Sequence, residues 1–275
     1  MNFGLIIIGD EILSGKREDK HLPKVIELLA ARGLALSWAR YVGDDPQRIT
    51  ADLKDAFAAA AQGDVVVSCG GIGATPDDHT RQCAARSLGV PLQLHPQARD
   101  LILERMHDVA REQGLAYEPD RDDNQHRLNM GVFPEGANII PNPYNKIAGF
   151  SVRAGVAPKQ GGVFFVPGFP VMAWPMIEWV LDQHFAHLHH QHAQREQSVI
   201  VFGAMEATLT PLMESIEARF GGVKVFSLPS VDHPQWGRHI ELGVKGNGET
   251  LAAAYAELLA GLRLHDAKLG PELVR

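Results

Sequence analysis

The residues with the clearest chemical potential form a glycine-rich segment, Gly70–Asp78. It follows a short apolar run and precedes a segment with helical periodicity. Clustered glycines let a backbone turn tightly and approach a ligand without a Cβ in the way, and the next helix start offers unpaired N–H groups. This context predicts a loop that holds the phosphate end of a small ligand through Gly70, Gly71, Gly73, Ala74 and Thr75. The alternative is a plain strand-to-helix turn capped by Asp77 or Asp78.

Pairs of carboxylates follow the first and second predicted strands and the glycine-rich loop after the third, which places them along one edge of a parallel sheet. They are Asp10 and Glu11, Asp44 and Asp45, and Asp77 and Asp78. Ligands of open α/β sheets bind at this edge, and gathered carboxylates favour a hard divalent cation there, such as magnesium, manganese or cobalt. The predicted metal ligands are Asp10, Glu11, Asp44 and Asp78. The alternative is that each carboxylate caps a helix, which is what we expect of Asp45 before Pro46.

Two later loops offer further polar groups. In the segment Pro141–Gly149, Lys146 is the natural cation to meet a phosphate, and Asn142 or Asn145 has the chemistry to hydrogen-bond a ring or ribose. A strand-to-helix turn at Gly168 is a second candidate for an anion-accepting helix start. Both loops also fit a purely structural role, as a proline-rich surface turn and a tight connection.

The elements that must position these residues alternate between short apolar runs and amphipathic segments. Strands are predicted at Phe3–Ile8, Leu34–Val42, Val65–Cys69, Ala137–Ile140, Phe150–Val152 and Val163–Val166. This alternation is typical of an α/β protein with a mostly parallel sheet. We expect one domain over residues 1–190 and a small α+β domain over residues 196–265. The segment Leu264–Arg275 is predicted to be a frayed tail.

Composition narrows the function classes. The formal net charge is -7 and no basic run occurs, so nucleic acid is not expected as a partner. Cys69 and Cys83 lack metal-ligand spacing, which favours a reducing compartment. No signal peptide or membrane-length apolar run occurs, so we expect a cytoplasmic protein without membrane association. We also expect the protein to form a homo-oligomer.

A histidine-rich stretch invites a metal interpretation. It contains His184, His187, His189, His190 and His192. No carboxylate or cysteine completes a zinc pattern beside them, so a solvated helix tail is the preferred interpretation.

The order of these motifs resembles the molybdopterin-binding (molybdenum cofactor biosynthesis) domain family. The residues that carry the resemblance are Gly9–Gly15, Val42–Asp44, Gly70–Thr80, Pro134–Ala137 with Asn142-Pro143, and Pro167–Pro170. The region looks most similar to the N-terminal part of competence/damage-inducible protein A and to the N-terminal domain of eukaryotic FAD synthases. The resemblance implies a three-layer α/β sandwich. Residues 198–263 are similar to a small α+β domain found in the former proteins.

The resemblance also implies chemistry. Asp44 and Asp78 match the acidic pair that serves metal binding and catalysis in some members, and Asp10 and Glu11 match the first acidic motif. Relatives hydrolyse the pyrophosphate of ADP-ribose or FAD with a divalent metal. The leading expectation is therefore a metal-dependent hydrolase of such a nucleotide, with Asp44, Asp78 and Lys146 as catalytic residues. The alternative is a protein of molybdenum cofactor biosynthesis that binds a pterin without hydrolysis.

Three departures from the family pattern bear on the ligand. Ala74 stands where proline is usual, and Met172 stands where many members carry an acidic residue. Asn145 and Lys146 replace a small, glycine-containing stretch. In either function, the expected partner is a phosphorylated small molecule, a nucleotide or a pterin.

Overall fold

The computed structural model describes residues 1–154, 160–191, 195–246 and 248–274. The chain divides into two compact units, Met1–His189 and His190–Arg275. Within the described ranges, no helix combines the length and the apolar character needed to cross a membrane.

The first unit alternates strands and helices as the sequence predicts. Its strands are β1 (Phe3–Ile8), β2 (Leu36–Val42), β3 (Val65–Cys69), β4 (Leu92–Leu94), β5 (Val132–Pro134), β6 (Asn138–Ile140), β7 (Gly149–Ala154) and β8 (Gly161–Val166). Its α-helices are α1 (Asp10–Leu13), α2 (His21–Ala30), α3 (Pro46–Ala61), α4 (Thr80–Leu88), α5 (Pro96–Glu112), α6 (Asp122–Arg127) and α7 (Pro170–His184). Asp45 caps α3 as predicted, because its carboxylate accepts hydrogen bonds from two N–H groups of the first turn.

The central sheet brings the ends of the early strands together. Its order is β2-β1-β3-β8-β7-β6, in which β2, β1, β3 and β8 are parallel and only β7 is reversed, antiparallel to both of its neighbours β8 and β6. Ile7 of β1 lies opposite Tyr41 of β2 and Cys69 of β3, and Cys69 lies opposite Val166 of β8. The loops that follow β1, β2, β3 and β8 therefore emerge at one edge.

Apolar cores cover both faces of the sheet. Every residue of β1, β3 and β8 is buried, as expected for strands covered on two sides. Residues of α2 and α7 pack on one face and residues of α3 and α4 on the other. This arrangement confirms the three-layer α/β sandwich with a mostly parallel sheet.

The second unit is a separate α+β structure. It contains β9 (Arg195–Phe202), α8 (Glu206–Arg219), β10 (Lys224–His233), β11 (Gly237–Gly246), α9 (Gly248–Leu264) and β12 (Lys268–Val274). The strands form an antiparallel sheet in the order β10-β11-β9-β12. The prediction of a frayed tail was wrong, since β12 pairs with β9 and Leu269 packs against the core of this unit.

Candidate functional site

A cavity of about 590 Å³ lies at the carboxyl edge of the parallel strands in the first unit. One wall is the glycine-rich loop after β3, and another is the turn from Pro167 to Met172 that leads into α7. Asp44, after β2, also lines it. The position agrees with the rule that open α/β sheets bind ligands at this edge, and the volume suits a small organic molecule.

The glycine-rich loop presents unused backbone donors. Among the described residues, none accepts a hydrogen bond from the N–H groups of Gly71, Ile72, Gly73 or Ala74, and all four residues line the cavity. Consecutive free N–H groups form an anion-binding concavity. The loop is held closed by Asp78, whose Oδ2 accepts from the N–H of Thr75 at 2.8 Å and from its hydroxyl at 2.6 Å.

The loop glycines are required by the protein's own packing. Gly70 and Gly71 have φ values of +104° and +68°, and a Cβ on either would lie 2.2 Å from Ile8 O or Thr80 Oγ1, respectively. A Cβ on Gly73 would lie 2.6 Å from Asp78 Oδ2. The expectation that these glycines serve ligand approach is therefore incomplete, because larger side chains would first disturb the loop itself.

Asp10 and Asp44 join the ends of β1 and β2. Asp44 Oδ2 accepts from the N–H of Asp10 at 2.9 Å, and Asp10 Oδ1 accepts from the N–H of Asp44 at 3.1 Å. Asp44 lines the cavity and Asp10 does not. The sequence correctly places both residues at one edge of the sheet. However, each carboxylate accepts a hydrogen bond from the backbone N–H of the other residue, where the sequence predicts that both hold a metal.

Burial raises the pKa of Asp44 above its ordinary range, and the nearby charges of Asp10, Glu11 and Asp77 raise it further. The hydrogen bond from the Asp10 backbone opposes this shift. The electrostatic potential is therefore negative on the side of the cavity that Asp44 lines.

The predicted metal ligands do not form a ready-made coordination group. Nowhere in the described parts of the chain do three or more His, Cys, Asp or Glu side chains converge to hold a metal. Glu11, Asp44 and Asp78 all line the cavity. However, Asp44 and Asp78 use carboxylate oxygens to hold backbone N–H groups, and Asp10 lies outside the cavity lining. As arranged, these residues fit a divalent cation poorly.

Lys146 and Asn142, which the sequence predicts at the ligand, do not line the cavity. The Lys146 ammonium lies 2.6 Å from carboxylate oxygens of both Glu104 and Asp108 on α5, and Lys146 does not line the cavity. The buried Asn142 amide donates to Asn145 Oδ1 and Ile147 O. Both residues therefore support the loop and correct the expectation of direct ligand contact. Asn145, the other amide considered from the sequence, lines the cavity.

Most of the other residues predicted to bind the ligand line the cavity. Its lining includes Gly70, Gly71, Gly73, Ala74, Thr75 and Gly168. The carbonyl of Gly168 lies 3.0 Å from Nε2 of the buried His21, so the first residue of α2 contacts the opposite wall of the cavity. This link joins residues 147 positions apart, which no local sequence pattern predicts.

Arg17 and Phe169 were missed as site residues. Both line the cavity, and the Arg17 guanidinium carbon lies 5.9 Å from the centre of the Phe169 ring. Their positions in the sequence could have identified them as site residues, since Arg17 follows the first acidic motif and Phe169 adjoins Gly168. Met130 and Ile147 supply further apolar lining.

The histidine-rich stretch is only partly a solvated tail. His184 ends α7 half-buried, with Nδ1 3.0 Å from an Arg153 nitrogen, and burial lowers its pKa. His187 and His190 are exposed. His192 lies outside the described residues. None of the described histidines belongs to a metal-binding group.

Comparisons with known proteins agree with this architecture. Residues 4–190 match the family model described as "Probable molybdopterin binding domain". A CinA-like protein of Anaeromyxobacter sp. (strain K) is 34% identical over 182 residues, which cover 66% of this chain and 40% of that protein. A CinA-like protein of Geobacter metallireducens is 28% identical over 277 residues, covering 100% of this chain and 61% of that protein.

A solved structure shares the fold. The structure of the protein CinA with unknown function from Thermoplasma acidophilum has a TM-score of 0.52 and 25% identity. The match covers 66% of this chain and 96% of that chain. The present chain spans between 40% and 61% of the length of the two CinA-like relatives above. By the family match over residues 4–190, the chain belongs to the molybdopterin-binding domain family and is related to the CinA-like proteins.

Proposed function

We propose that the cavity of the first unit binds a phosphorylated pterin of the molybdopterin type and holds it without hydrolysis. The observation that carries this proposal is a run of four N–H groups, from Gly71 to Ala74, that have no acceptor among the described residues and lie beside a largely apolar cavity. The N–H groups suit a phosphate, and the cavity volume of about 590 Å³ suits a bicyclic or tricyclic ring.

The walls away from the loop suit the ring. Phe169, Met172, Ile147 and Met130 supply apolar surface against a planar heterocycle. The amide of Asn145 adds a polar group among them, although its Nδ2 already lies 3.3 Å from Met172 Sδ. A ligand with a flat ring and an anionic end matches this division of the cavity into apolar and donor regions.

Hydrolysis of a pyrophosphate-linked nucleotide receives less support from the geometry. Three of the four carboxylates expected to hold a metal, those of Asp10, Asp44 and Asp78, accept hydrogen bonds from backbone N–H groups, and Lys146 is paired with carboxylates of α5. We derive no metal-dependent step from this arrangement. Turnover of ADP-ribose or FAD by the protein would contradict the binding proposal.

A cavity-filling variant tests the proposal without disturbing the loop. A Cβ on Gly168 meets nothing nearer than Gly70 Cα at 3.5 Å, so Gly168→Val should fold while its side chain occupies part of the cavity. We expect wild type to quench the fluorescence of 6-hydroxymethylpterin phosphate on titration, and Gly168→Val to lose at least about 10-fold in affinity, roughly 1.4 kcal/mol. Gly221→Val is the matched control, because nothing lies within 4 Å of its added Cβ.

The same preparations should be incubated with ADP-ribose and with FAD, each with magnesium, manganese or cobalt. Pterin binding that Gly168→Val weakens, with no nucleotide cleavage, supports the proposal. Cleavage by wild type that Gly168→Val abolishes would instead favour the hydrolase. Equal pterin affinity in wild type and Gly168→Val would show that the ligand does not occupy this cavity.

A further inference from the structure

The charge around the cavity is unevenly distributed. Its described lining contains four carboxylates and a single cationic side chain, Arg17. The carboxylates are Glu11, Asp44, Asp77 and Asp78. These carboxylates repel a phosphate that enters the cavity, because like charges brought close together raise the electrostatic energy. Backbone N–H groups carry no net charge and cannot offset this repulsion alone. The position of the Arg17 side chain therefore decides where the cavity can hold an anion.

The other candidate cations near the site are already engaged. Lys146 is paired with Glu104 and Asp108 on α5. The buried Arg81 guanidinium donates to the carbonyls of Gly73 and Asn129 and does not line the cavity. Both side chains support the loops from outside, which leaves Arg17 as the described cation with access to a ligand.

The side chain of Arg17 makes weak contacts only. Within the described parts of the chain, its side chain makes no ion pair and no hydrogen bond, and it lies over the ring of Phe169, which is 54% exposed. A cation–π contact at an exposed site contributes little, whereas a guanidinium and a phosphate form strong, two-pronged hydrogen bonds. The side chain can therefore leave the ring for an anion at small cost. The backbone of Arg17 is fixed, since its N–H donates to Glu11 O at 2.9 Å.

We infer that Arg17 is the anion-recognition residue of this cavity and makes it selective for the phosphorylated form of its ring ligand. The inference rests on the proposed function. It assigns the N–H groups of the glycine-rich loop and the Arg17 guanidinium to the same phosphate, and it leaves Phe169 free to cover the ring.

The test compares 6-hydroxymethylpterin with its phosphate monoester in fluorescence titrations. We expect wild type to bind the ester more tightly than the alcohol. Arg17→Gln should weaken ester binding about 10- to 100-fold, the usual effect of losing a hydrogen bond to a charged group, and leave alcohol binding unchanged. Arg17→Lys keeps the charge but not the planar fork, and should fall between the two. Arg48→Gln, which removes a charge outside the cavity lining, is the matched control.

Salt dependence separates recognition from a structural effect. Ester binding by wild type should weaken as ionic strength rises, and this dependence should flatten in Arg17→Gln. If Arg17→Gln binds the ester as tightly as wild type, or if wild type does not distinguish the ester from the alcohol, the inference is overturned while the proposed cavity stands. If wild type binds neither compound, the inference and the proposed function both fail.

Discussion

At the scale of single residues, the acidic side chains serve structure more than the sequence suggests. Asp10 and Asp44 each accept the other's backbone N–H, and Asp78 accepts two hydrogen bonds from Thr75. The sequence correctly predicts that acidic residues gather at one sheet edge, because strand order and parallel direction determine this. It does not predict which carboxylates accept hydrogen bonds from backbone N–H groups, since that depends on the conformation of the loops.

Asp44 provides a test of this structural role. Its pKa is raised in the folded protein, so the native state binds the proton more tightly than the unfolded chain, and ionisation above that pKa reduces stability. Asp44→Asn keeps an oxygen to accept from Asp10 and removes the charge. We expect a higher free energy of unfolding than wild type at neutral pH, with the difference vanishing below the ordinary Asp pKa of about 3.9.

Urea denaturation of both proteins from pH 3.5 to pH 8 measures this difference. Asp232→Asn controls for the change in net charge, because Asp232 is exposed and its side chain makes no hydrogen bond or ion pair within the described chain. A constant destabilisation by Asp44→Asn at every pH would mean that the bond to Asp10, and not the charge of Asp44, dominates.

Lys146 is the residue where sequence and structure disagree most. A lysine in a polar loop near a predicted phosphate site suggested catalysis, but its ion pairs with Glu104 and Asp108 hold the loop against α5. The charge pattern of α5 gave no signal that two of its carboxylates would face this loop. Lys146 also adopts a left-handed backbone conformation, with φ of 64°, which fits a residue at a sharp turn.

We expect Lys146→Met to leave pterin phosphate affinity within about twofold of wild type, a difference that corresponds to less than 0.5 kcal/mol. Its melting temperature should fall only slightly, because exposed ion pairs contribute little. Fluorescence titration and thermal denaturation measure the two effects. A large loss of affinity in a variant with an unchanged melting temperature would return Lys146 to the ligand site.

At the scale of secondary-structure elements, the glycine-rich loop and helix α4 form one packed unit. The hydroxyl of Thr80, the first residue of α4, donates to Gly70 O, and its N–H donates to Gly71 O. This explains why Gly71 has no room for a side chain. The glycine cluster predicts a tight turn from the sequence, but the contact with Thr80 becomes visible only once the loop is built.

Substitution of Gly71 measures this packing against a matched reference. Gly71 and Gly89 have nearly the same backbone angle, with φ of +68° and +70°, but only Gly71 has a neighbour within 4 Å of an added Cβ. We expect Gly89→Ala to cost about 1 kcal/mol of unfolding free energy from backbone strain alone. Gly71→Ala should cost more by about 1 to 3 kcal/mol, because Thr80 must move.

Urea denaturation of the two variants gives the comparison. Equal losses of stability would show that Thr80 yields easily and that the loop is less tightly packed than the contacts indicate.

Periodicity predicted the main strands and helices of the first unit because long apolar runs and capped amphipathic segments are strong local signals. Asp45 before Pro46 marks the start of α3 in this way. The short elements β4, β5 and α6 escaped the same reasoning. Three-residue strands such as Leu92–Leu94 are stabilised by a distant partner, here Val132–Pro134, and carry little periodicity of their own.

At the scale of the whole molecule, the chain consists of two units with separate cores. The cavity, the glycine-rich loop and Arg17 all belong to the first. The sequence predicts a frayed tail over Leu264–Arg275, because the ends of a chain are often poorly ordered. Instead, Lys268–Val274 forms β12 beside β9, and the Tyr255 hydroxyl hydrogen-bonds Glu272 at 3.2 Å. Edge strands of this kind are defined by their neighbours and tolerate proline.

The central claim is that a phosphorylated ring ligand is held between the glycine-rich loop and the turn before α7. Amide hydrogen exchange of the full chain, with and without 6-hydroxymethylpterin phosphate, tests it most directly. We predict slower exchange in peptides that cover residues 71–75 and 168–172, since a bound ligand would engage the free N–H groups of Gly71 to Ala74. Peptides from residues 195–274 should be unchanged. Binding that leaves residues 71–75 unprotected, or that protects only the second unit, would contradict the account.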